Sequence, residues 1–166
     1  LGPEMRSTGE VMGIDSGFAQ AFAKAELAAS QTLPTGGTVF VSIRDRDKDA
    51  VIPVAKALAD LGFNLIATAG TRKILQANGM SVDLVYKVHE GRPHVLDAIK
   101  NQQIQLIINT PIGEAAQEDD RISRRTALDY KIPTTTTLAG ARATAEAIRS
   151  LQESPLQVKA IQDHLT

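Results

Sequence analysis

Short apolar runs alternate with longer amphipathic segments between residues 38 and 151. The run at 38–43 (TVFVSI) is rich in β-branched residues and favours a buried strand. Further short runs predict strands at 64–67, 82–85, 106–109 and 133–137. Apolar residues at three- and four-residue spacing predict helices at 51–61, 72–77, 93–100, 119–130 and 138–151. Prolines favour a first helical turn, so Pro93 is expected to open a helix and Pro53 leaves the start of another open.

This alternation of strands and helices predicts the fold class. Strands that alternate with helices along a chain pair in parallel through right-handed crossovers. The sequence therefore predicts an α/β fold, a three-layer sandwich built on a five-stranded parallel sheet.

The first 36 residues have a different character. An alanine-rich helix is predicted at 18–29, followed by a junction containing Pro and Gly at 31–37. A stretch this short cannot enclose its own core, so it is expected to be a linker helix or the end of a preceding domain. The predicted organisation is a helical segment at 1–36, the α/β domain at 37–152 and a weakly patterned tail at 153–166.

Composition narrows the possible partners. In 166 residues, 18 Lys and Arg face 19 Asp and Glu, and the net charge is −1. A duplex-nucleic-acid binder needs a surplus of cations, so nucleic acid is not an expected partner. No apolar run approaches the roughly 20 residues of a membrane helix, and the first residues lack a secretion-signal pattern. The lack of cysteine excludes disulfides, thiolate catalysis and Cys-ligated zinc. A cytoplasmic protein is the expectation.

Polar residues that follow the predicted strands are the candidate binding residues. Ligands of open parallel sheets bind outside the carboxyl ends of the strands, so these residues are expected to converge on one rim. In chain order they are Lys48 after the first strand, Thr68, Gly70 and Thr71 after the second, Lys87 after the third, Asn109 and Thr110 after the fourth, and Thr136 and Thr137 after the fifth.

These residue types suit a phosphate. Residues 68–71 open a helix, whose free backbone N–H groups and positive dipole end favour an anion. Lys48 and Lys87 would add positive charges, and the amide of Asn109 could read a ribose or base edge. One alternative remains open: the threonines cap helices and the lysines are solvated loop residues.

Other binding motifs fail. No G-x-G-x-x-G follows a strand and no P-loop pattern occurs, so dinucleotide and P-loop sites are not expected. His89 and Glu90 begin like a zinc-protease helix, but Pro93 stands where the second histidine is needed. No metal site is expected.

The motif KVHEGRPH at 87–94, with Asn109, Thr110, Arg124 and Arg125 downstream, resembles the C-terminal regulatory domain of the carbamoyl phosphate synthase large subunit. Residues 4–13 (EMRSTGEVMG) resemble the end of that subunit's second ATP-grasp half. The resemblance covers nearly the whole chain. It implies the tail of a catalytic region joined to a methylglyoxal-synthase-like allosteric domain of flavodoxin or Rossmann type.

The resemblance also implies a function. In this family the parent chain is an ATP-dependent ligase that makes carbamoyl phosphate from bicarbonate, glutamine-derived ammonia and ATP, with Mg or Mn, for pyrimidine and arginine synthesis. The regulatory domain has no catalytic residues or cofactor of its own. It binds nucleotide monophosphates of the UMP or IMP type, and ornithine is a further effector. Its partners are the catalytic regions of the same large subunit and the glutaminase small subunit.

The family's effector positions coincide with the strand-end candidates. The phosphate positions match Lys48, Thr68, Thr71 and Lys87, and the amide position matches Asn109. Thr136 and Thr137 are candidates for an inter-domain or ornithine contact. Departures from the family pattern fall at Pro111 and Glu114, where bacterial relatives often place hydroxyl or basic side chains, and they bear on which nucleotide is preferred.

Two alternatives stand beside this function. A methylglyoxal synthase would share the fold, but its catalytic Asp position falls on Arg92, and a guanidinium cannot act as a base. Asp97 is the nearest carboxylate and lies about one helical turn away. The other alternative is a purely structural docking domain, suggested by the cationic patch at Arg124 and Arg125.

Overall fold

Five parallel strands form a single sheet in the order β3-β2-β1-β4-β5. The computed structural model describes the backbone of residues 9–110 and 117–164, and the side chains in these ranges except at 117–120 and 164. The strands are β1 Thr38–Ser42, β2 Asn64–Ala67, β3 Val82–Leu84, β4 Leu106–Asn109 and β5 Thr134–Thr135. The predicted α/β sandwich on a five-stranded parallel sheet is confirmed.

Helices cover both faces of this sheet. They are α1 Phe18–Ala28, α2 Lys48–Asp60, α3 Ala69–Ala77, α4 Val95–Lys100, α5 Gln117–Asp129 and α6 Leu138–Glu153, with short 3₁₀ turns at Asp45–Asp47 and Ile161–His164. On one face α2 packs against α3 and α6, and α6 packs against α1, while α4 and α5 pair on the other face. Within the described ranges, no helix is long and apolar enough to cross a membrane.

Alternate residues of the central strand β1 face the two layers. Val39 and Val41 belong to the core under α2, α3 and α6, whereas Phe40 belongs to the core under α4 and α5. Successive side chains of a strand point to opposite faces, so a strand covered on both sides must be apolar throughout. This explains why the central strands β1 and β4 are mostly apolar, whereas the edge strands β3 and β5 contain Asp83 and two threonines.

Several predicted boundaries differ from the observed ones, and three of the differences have a clear physical reason. Helix α4 begins at Val95 rather than Pro93, because His94 caps it and forms a reciprocal capping box with Asp97. Strand β5 has only two residues, since pairing with β4 stops at Thr135. The 3₁₀ turn before α2 runs straight into the helix, so Pro53 lies in the second turn and not the first.

The N-terminal segment packs on the α/β layers. Helix α1 contacts α6, and Ala23 and Leu33 are buried in the same core as β1. Residues ahead of α1 fold back along it: Lys24 forms an ion pair with Asp15 at 2.7 Å and donates to the carbonyl of Ile14 at 3.2 Å. Gly13 lies so close to α1 that a side chain there would overlap the carbonyl oxygen of Ala21.

Substituting Gly13→Ala should detach this N-terminal segment from α1. The added methyl would also lie 2.6 Å from the backbone N of Ala25, and such overpacking costs about 1–3 kcal/mol. We expect faster hydrogen exchange and proteolysis at residues 9–16. Gly36→Ala is the control, since a side chain there meets no atom within 4 Å. Equal protection of the segment in both variants would contradict the close contact.

Candidate functional site

The sheet has a switch point between β1 and β4. The helices that follow β1 and β2 lie on one face, and those that follow β3 and β4 lie on the other, so the crossovers diverge at this pair of strands. Open α/β sheets bind ligands at such a point, outside the carboxyl ends of the strands. Ser42 and Asn109 are paired there, and both are buried. This edge of the sheet is the candidate functional site.

Lys48 lies against the N-terminal turn of α3. A Cβ placed on Gly70 would come within 2.9 Å of the Lys48 Nζ, so the ammonium occupies the space that a side chain would fill. The Lys48 side chain is only 18% exposed. At the start of α3, Thr68 is buried and its side chain makes no capping hydrogen bond. The positive end of the helix dipole and a positive side chain therefore meet at one place.

Both candidate lysines act on one carboxylate, that of Asp45. Its Oδ1 lies 2.5 Å from the Lys48 Nζ. The hydrogen bond and the charge of Lys48 lower the pKa of Asp45, and the positive charge of Lys87 lowers it further. Lys87 lies on the segment after β3, and its backbone N–H donates to the Glu90 carboxylate at 2.9 Å. The structure thus brings Lys48, Lys87 and the start of α3 together at the carboxyl-terminal edge of the sheet.

Threonine hydroxyl groups accept hydrogen bonds from the backbone at the end of β1, next to these lysines. The Ile43 N–H donates to Thr71 Oγ1 at 3.1 Å, and the Arg44 N–H donates to Thr110 Oγ1 at 3.0 Å. Both threonines are 1% exposed, and Asn109 is also buried. Thr71 and Thr110 therefore hold β1, α3 and β4 in register, and their contact with a ligand stays a prediction.

Thr136 and Thr137 lie elsewhere. They line a cavity of about 270 Å³ together with Phe22 and Glu26 of α1, and the strand-end residues named above are absent from its lining. Because β5 ends at Thr135, the chain leaves the sheet early; Thr137 then caps α6 by accepting from the Gly140 N–H at 3.0 Å. The predicted single rim thus divides into two places. One is the strand-end cluster of Lys48, Lys87, the start of α3, Asn109 and Thr110, and the other is the cavity beside α1.

Two acidic residues at these places were not among the sequence candidates. Asp45 lies three residues before Lys48, a spacing that allows an ion pair within one helical turn. This spacing in the sequence could have identified Asp45 as a partner of Lys48. Glu26 shares the cavity with Thr136, and burial raises the pKa of its carboxyl. Nothing in the alanine-rich pattern of α1 distinguishes Glu26 from a solvated residue.

The carboxylate nearest the methylglyoxal-synthase position is held as a helix cap. Asp97 Oδ2 accepts from the His94 backbone N–H at 3.0 Å, and this hydrogen bond is the main cause that lowers the pKa of Asp97. Arg92 is exposed, and its Nη1 lies 3.9 Å from Asp97. A general base is most effective with a pKa near the working pH, and these contacts move Asp97 away from it. The lyase alternative therefore gains no support.

The remaining candidates lie apart from the strand-end cluster or outside the described residues. Arg125 is exposed on α5 and lines a shallow cavity of about 160 Å³ with Arg121 and Asp129. Pro111 and Glu114 fall outside the part of the chain that the structure describes. Within that part, no group of three His, Asp or Glu gathers where it could hold a metal ion.

Comparison with known proteins places the chain in a family. The family model described as "MGS-like domain" matches residues 50–136. The chain belongs to the MGS-like domain family. A methylglyoxal synthase structure from Elizabethkingia anophelis matches with a TM-score of 0.55 at 21% identity, covering 81% of this chain and 93% of that chain. At this identity the structural match bears on the fold alone.

The curated relatives that the chain matches include carbamoyl phosphate synthase large chains. The chain is 66% identical over 164 residues to that of Nostoc sp., which covers 99% of this chain and 15% of the relative. It is 52% identical over 165 residues to the chloroplastic arginine-specific large chain of Oryza sativa subsp. japonica, covering 99% and 14%. The chain thus spans about 15% of the length of these relatives. The resemblance seen in the motif at 87–94 is confirmed.

Replacing Thr71 with valine should weaken the junction between β1 and α3. The isosteric Thr71→Val leaves the buried Ile43 N–H without its acceptor, which typically costs about 1–3 kcal/mol. We expect a lower free energy of unfolding in urea and faster exchange of the Ile43 amide proton. Thr71→Ser keeps the hydroxyl and should keep that amide protected. Equal exchange at Ile43 in the two variants would refute the assigned bond.

Proposed function

We propose that this chain is the effector-binding regulatory domain of a glutamine-hydrolysing carbamoyl phosphate synthase large chain and binds a nucleoside monophosphate at the strand-end cluster. The observation that carries the proposal is the position of the Lys48 ammonium against Gly70, at the start of α3. A helix N-terminus supplemented by a poorly exposed lysine is a favourable environment for a phosphate dianion.

The phosphate would bind between α3 and the two lysines. Thr68 makes no side-chain cap on α3, so the first N–H groups of that helix are left for a ligand, whereas α4 and α6 are capped by His94 and Thr137. Lys48 would provide the nearest positive charge and Lys87 a second one. Gly70 lets the ammonium approach the helix end closely, which a side chain would obstruct.

Asn109 and Thr110 would lie toward the ribose and base. They stand at the carboxyl end of β4, next to β1, where a nucleoside attached to the phosphate would cross the switch point. An amide offers both a donor and an acceptor, which suits a pyrimidine or purine edge. UMP and IMP, the effector types that the family resemblance implies, are the ligands to test.

Regulation requires more than binding. An effector changes the activity of the parent chain only if its affinity differs between two states of that chain. The activity concerned would be the synthesis of carbamoyl phosphate from bicarbonate, glutamine-derived ammonia and ATP with Mg or Mn. The 66% identity to the Nostoc sp. carbamoyl phosphate synthase large chain supports this activity for the parent chain. We propose that it operates with the glutaminase small subunit, in the cytoplasm.

Contacts with the catalytic regions of the same large chain would form around α1. Met12, Phe18 and Leu27 are 56%, 65% and 52% exposed, a concentration of apolar surface that suits an intramolecular interface. The cavity of Thr136 and Thr137 adjoins α1 and includes the Glu26 carboxylate, which suits a ligand carrying an ammonium group. We propose ornithine or a neighbouring catalytic region as its occupant.

Removing either lysine should weaken UMP binding. We expect Lys48→Met and Lys87→Met each to reduce the affinity by about 1.5–3 kcal/mol, the range for a charge-assisted hydrogen bond, as measured by titration calorimetry. Lys73→Met is the matched control, because Lys73 is exposed on α3 and belongs to neither site.

Two outcomes would count against the proposal. Equal affinities of the Lys48→Met and Lys73→Met variants would remove Lys48 from the site. If UMP binds the chain but saturating UMP or IMP leaves the kinetics of a complete large chain with its small subunit unchanged, the domain would be a binding module without a regulatory role.

A further inference from the structure

The carboxylate of Asp45 forms an ion pair with Lys48, the lysine nearest the proposed phosphate site. Asp45 Oδ1 lies 2.5 Å from the Lys48 Nζ, and the two side chains differ sharply in exposure: 18% for Lys48 and 93% for Asp45. The ammonium is held against the start of α3 near Gly70, while the carboxylate approaches it from solvent. A carboxylate and a phosphate present the same charge sign and the same kind of acceptor oxygen to a lysine.

We propose that Asp45 is a built-in competitor for the effector phosphate: its carboxylate occupies Lys48 in the ligand-free chain, and an entering phosphate displaces it. Asp45 would thereby lower the affinity of the site for anions and set the effector concentration to which the domain responds. This inference rests on the proposed function, since it concerns the same site.

The local structure allows Asp45 to move and keeps its neighbour in place. Asp45 opens the 3₁₀ turn Asp45–Asp47, and its side chain is almost fully exposed, so it can rotate into solvent without disturbing the core. Asp47, the other acidic residue of the turn, is 15% exposed and bound to Arg44 Nε at 2.5 Å. Asp45 is therefore the acidic residue of this turn that can exchange places with a ligand.

The relative strengths of the two interactions favour displacement. Ion pairs with an exposed partner are weak, because solvent screens them and because ordering the side chains is unfavourable. A phosphate dianion would gain Lys48, Lys87 and the N–H groups of α3 together, whereas the Asp45 carboxylate has its hydrogen bond to Lys48 and only a longer-range attraction to Lys87. After displacement the carboxylate would remain close enough to repel the phosphate, which lowers the affinity further.

Titration calorimetry with UMP and with inorganic phosphate can test this. Asp45→Asn removes the competing charge, and we expect about three- to tenfold tighter binding of both anions, the factor that corresponds to an exposed ion pair and its residual repulsion. Asp49→Asn is the matched control: it removes the same charge four residues away, from an exposed position at the start of α2. The control should change the affinity by less than about twofold, because exposed charges at longer range are screened.

A second pair of variants separates displacement from general repulsion. In a Lys48→Met background there is no ion pair to break. We therefore expect Asp45→Asn to raise the logarithm of the affinity in that background by less than about half of the increase it causes when Lys48 is present. An undiminished gain in that background would overturn the inference. Thermal unfolding should verify that all variants stay folded, as expected for a residue that is 93% exposed.

The remaining outcomes distinguish the two proposals. If the parent chain binds UMP but Asp45→Asn and Asp49→Asn bind it equally, the competitor role falls and the proposed function stands. If neither the parent chain nor the Asp45→Asn variant binds UMP or phosphate, the proposed function itself falls, and the inference falls with it.

Discussion

The hydrogen bonds at the end of β1 are the constraint on which the site depends. Ile43 and Arg44 follow the last residue of β1, so their backbone N–H groups are outside the hydrogen-bond ladder of the sheet. A buried N–H group without an acceptor is destabilising. Thr71 and Thr110 accept these two bonds, and the Thr110 N–H donates to the carbonyl of Ser42 at 3.1 Å. The ends of β1 and β4 and the start of α3 are thereby fixed relative to one another. Lys48 follows β1 after the 3₁₀ turn Asp45–Asp47, and its position against α3 depends on this arrangement.

The basic residues between β1 and α2 form ion pairs with acidic residues of the same segment. Lys48 forms an ion pair with Asp45, and Arg44 forms one with Asp47, which Arg46 also approaches at 3.9 Å. The two pairs differ in burial, because Asp47 is 15% exposed and Asp45 is 93% exposed. A partly buried pair fixes the turn, whereas an exposed carboxylate can be exchanged for another anion. The chain therefore combines a rigid support with a replaceable counterion, which is a suitable arrangement for a reversible effector.

Much of the fold and part of the site could be predicted from the sequence. Strands covered on both faces are apolar throughout, and β1 is unmistakable for this reason. The grouping of Lys48 with the start of α3 follows from parallel strands ending at one edge. The start of α4 could not be predicted from Pro93, because the reciprocal His94–Asp97 cap outweighs the preference of proline for a first turn. The separation of Thr136 from the strand-end cluster was also hidden, since it arises from the early end of β5 and the packing of α1 on α6.

A crystal structure of the chain bound to UMP would test the central claim most directly. The account predicts the phosphate within hydrogen-bond distance of the Lys48 Nζ and of the backbone N–H groups of Gly70 and Thr71, with the Asp45 carboxylate turned away from Lys48. A phosphate bound instead on α5 beside Arg121 and Arg125, with Asp45 still paired to Lys48, would contradict it.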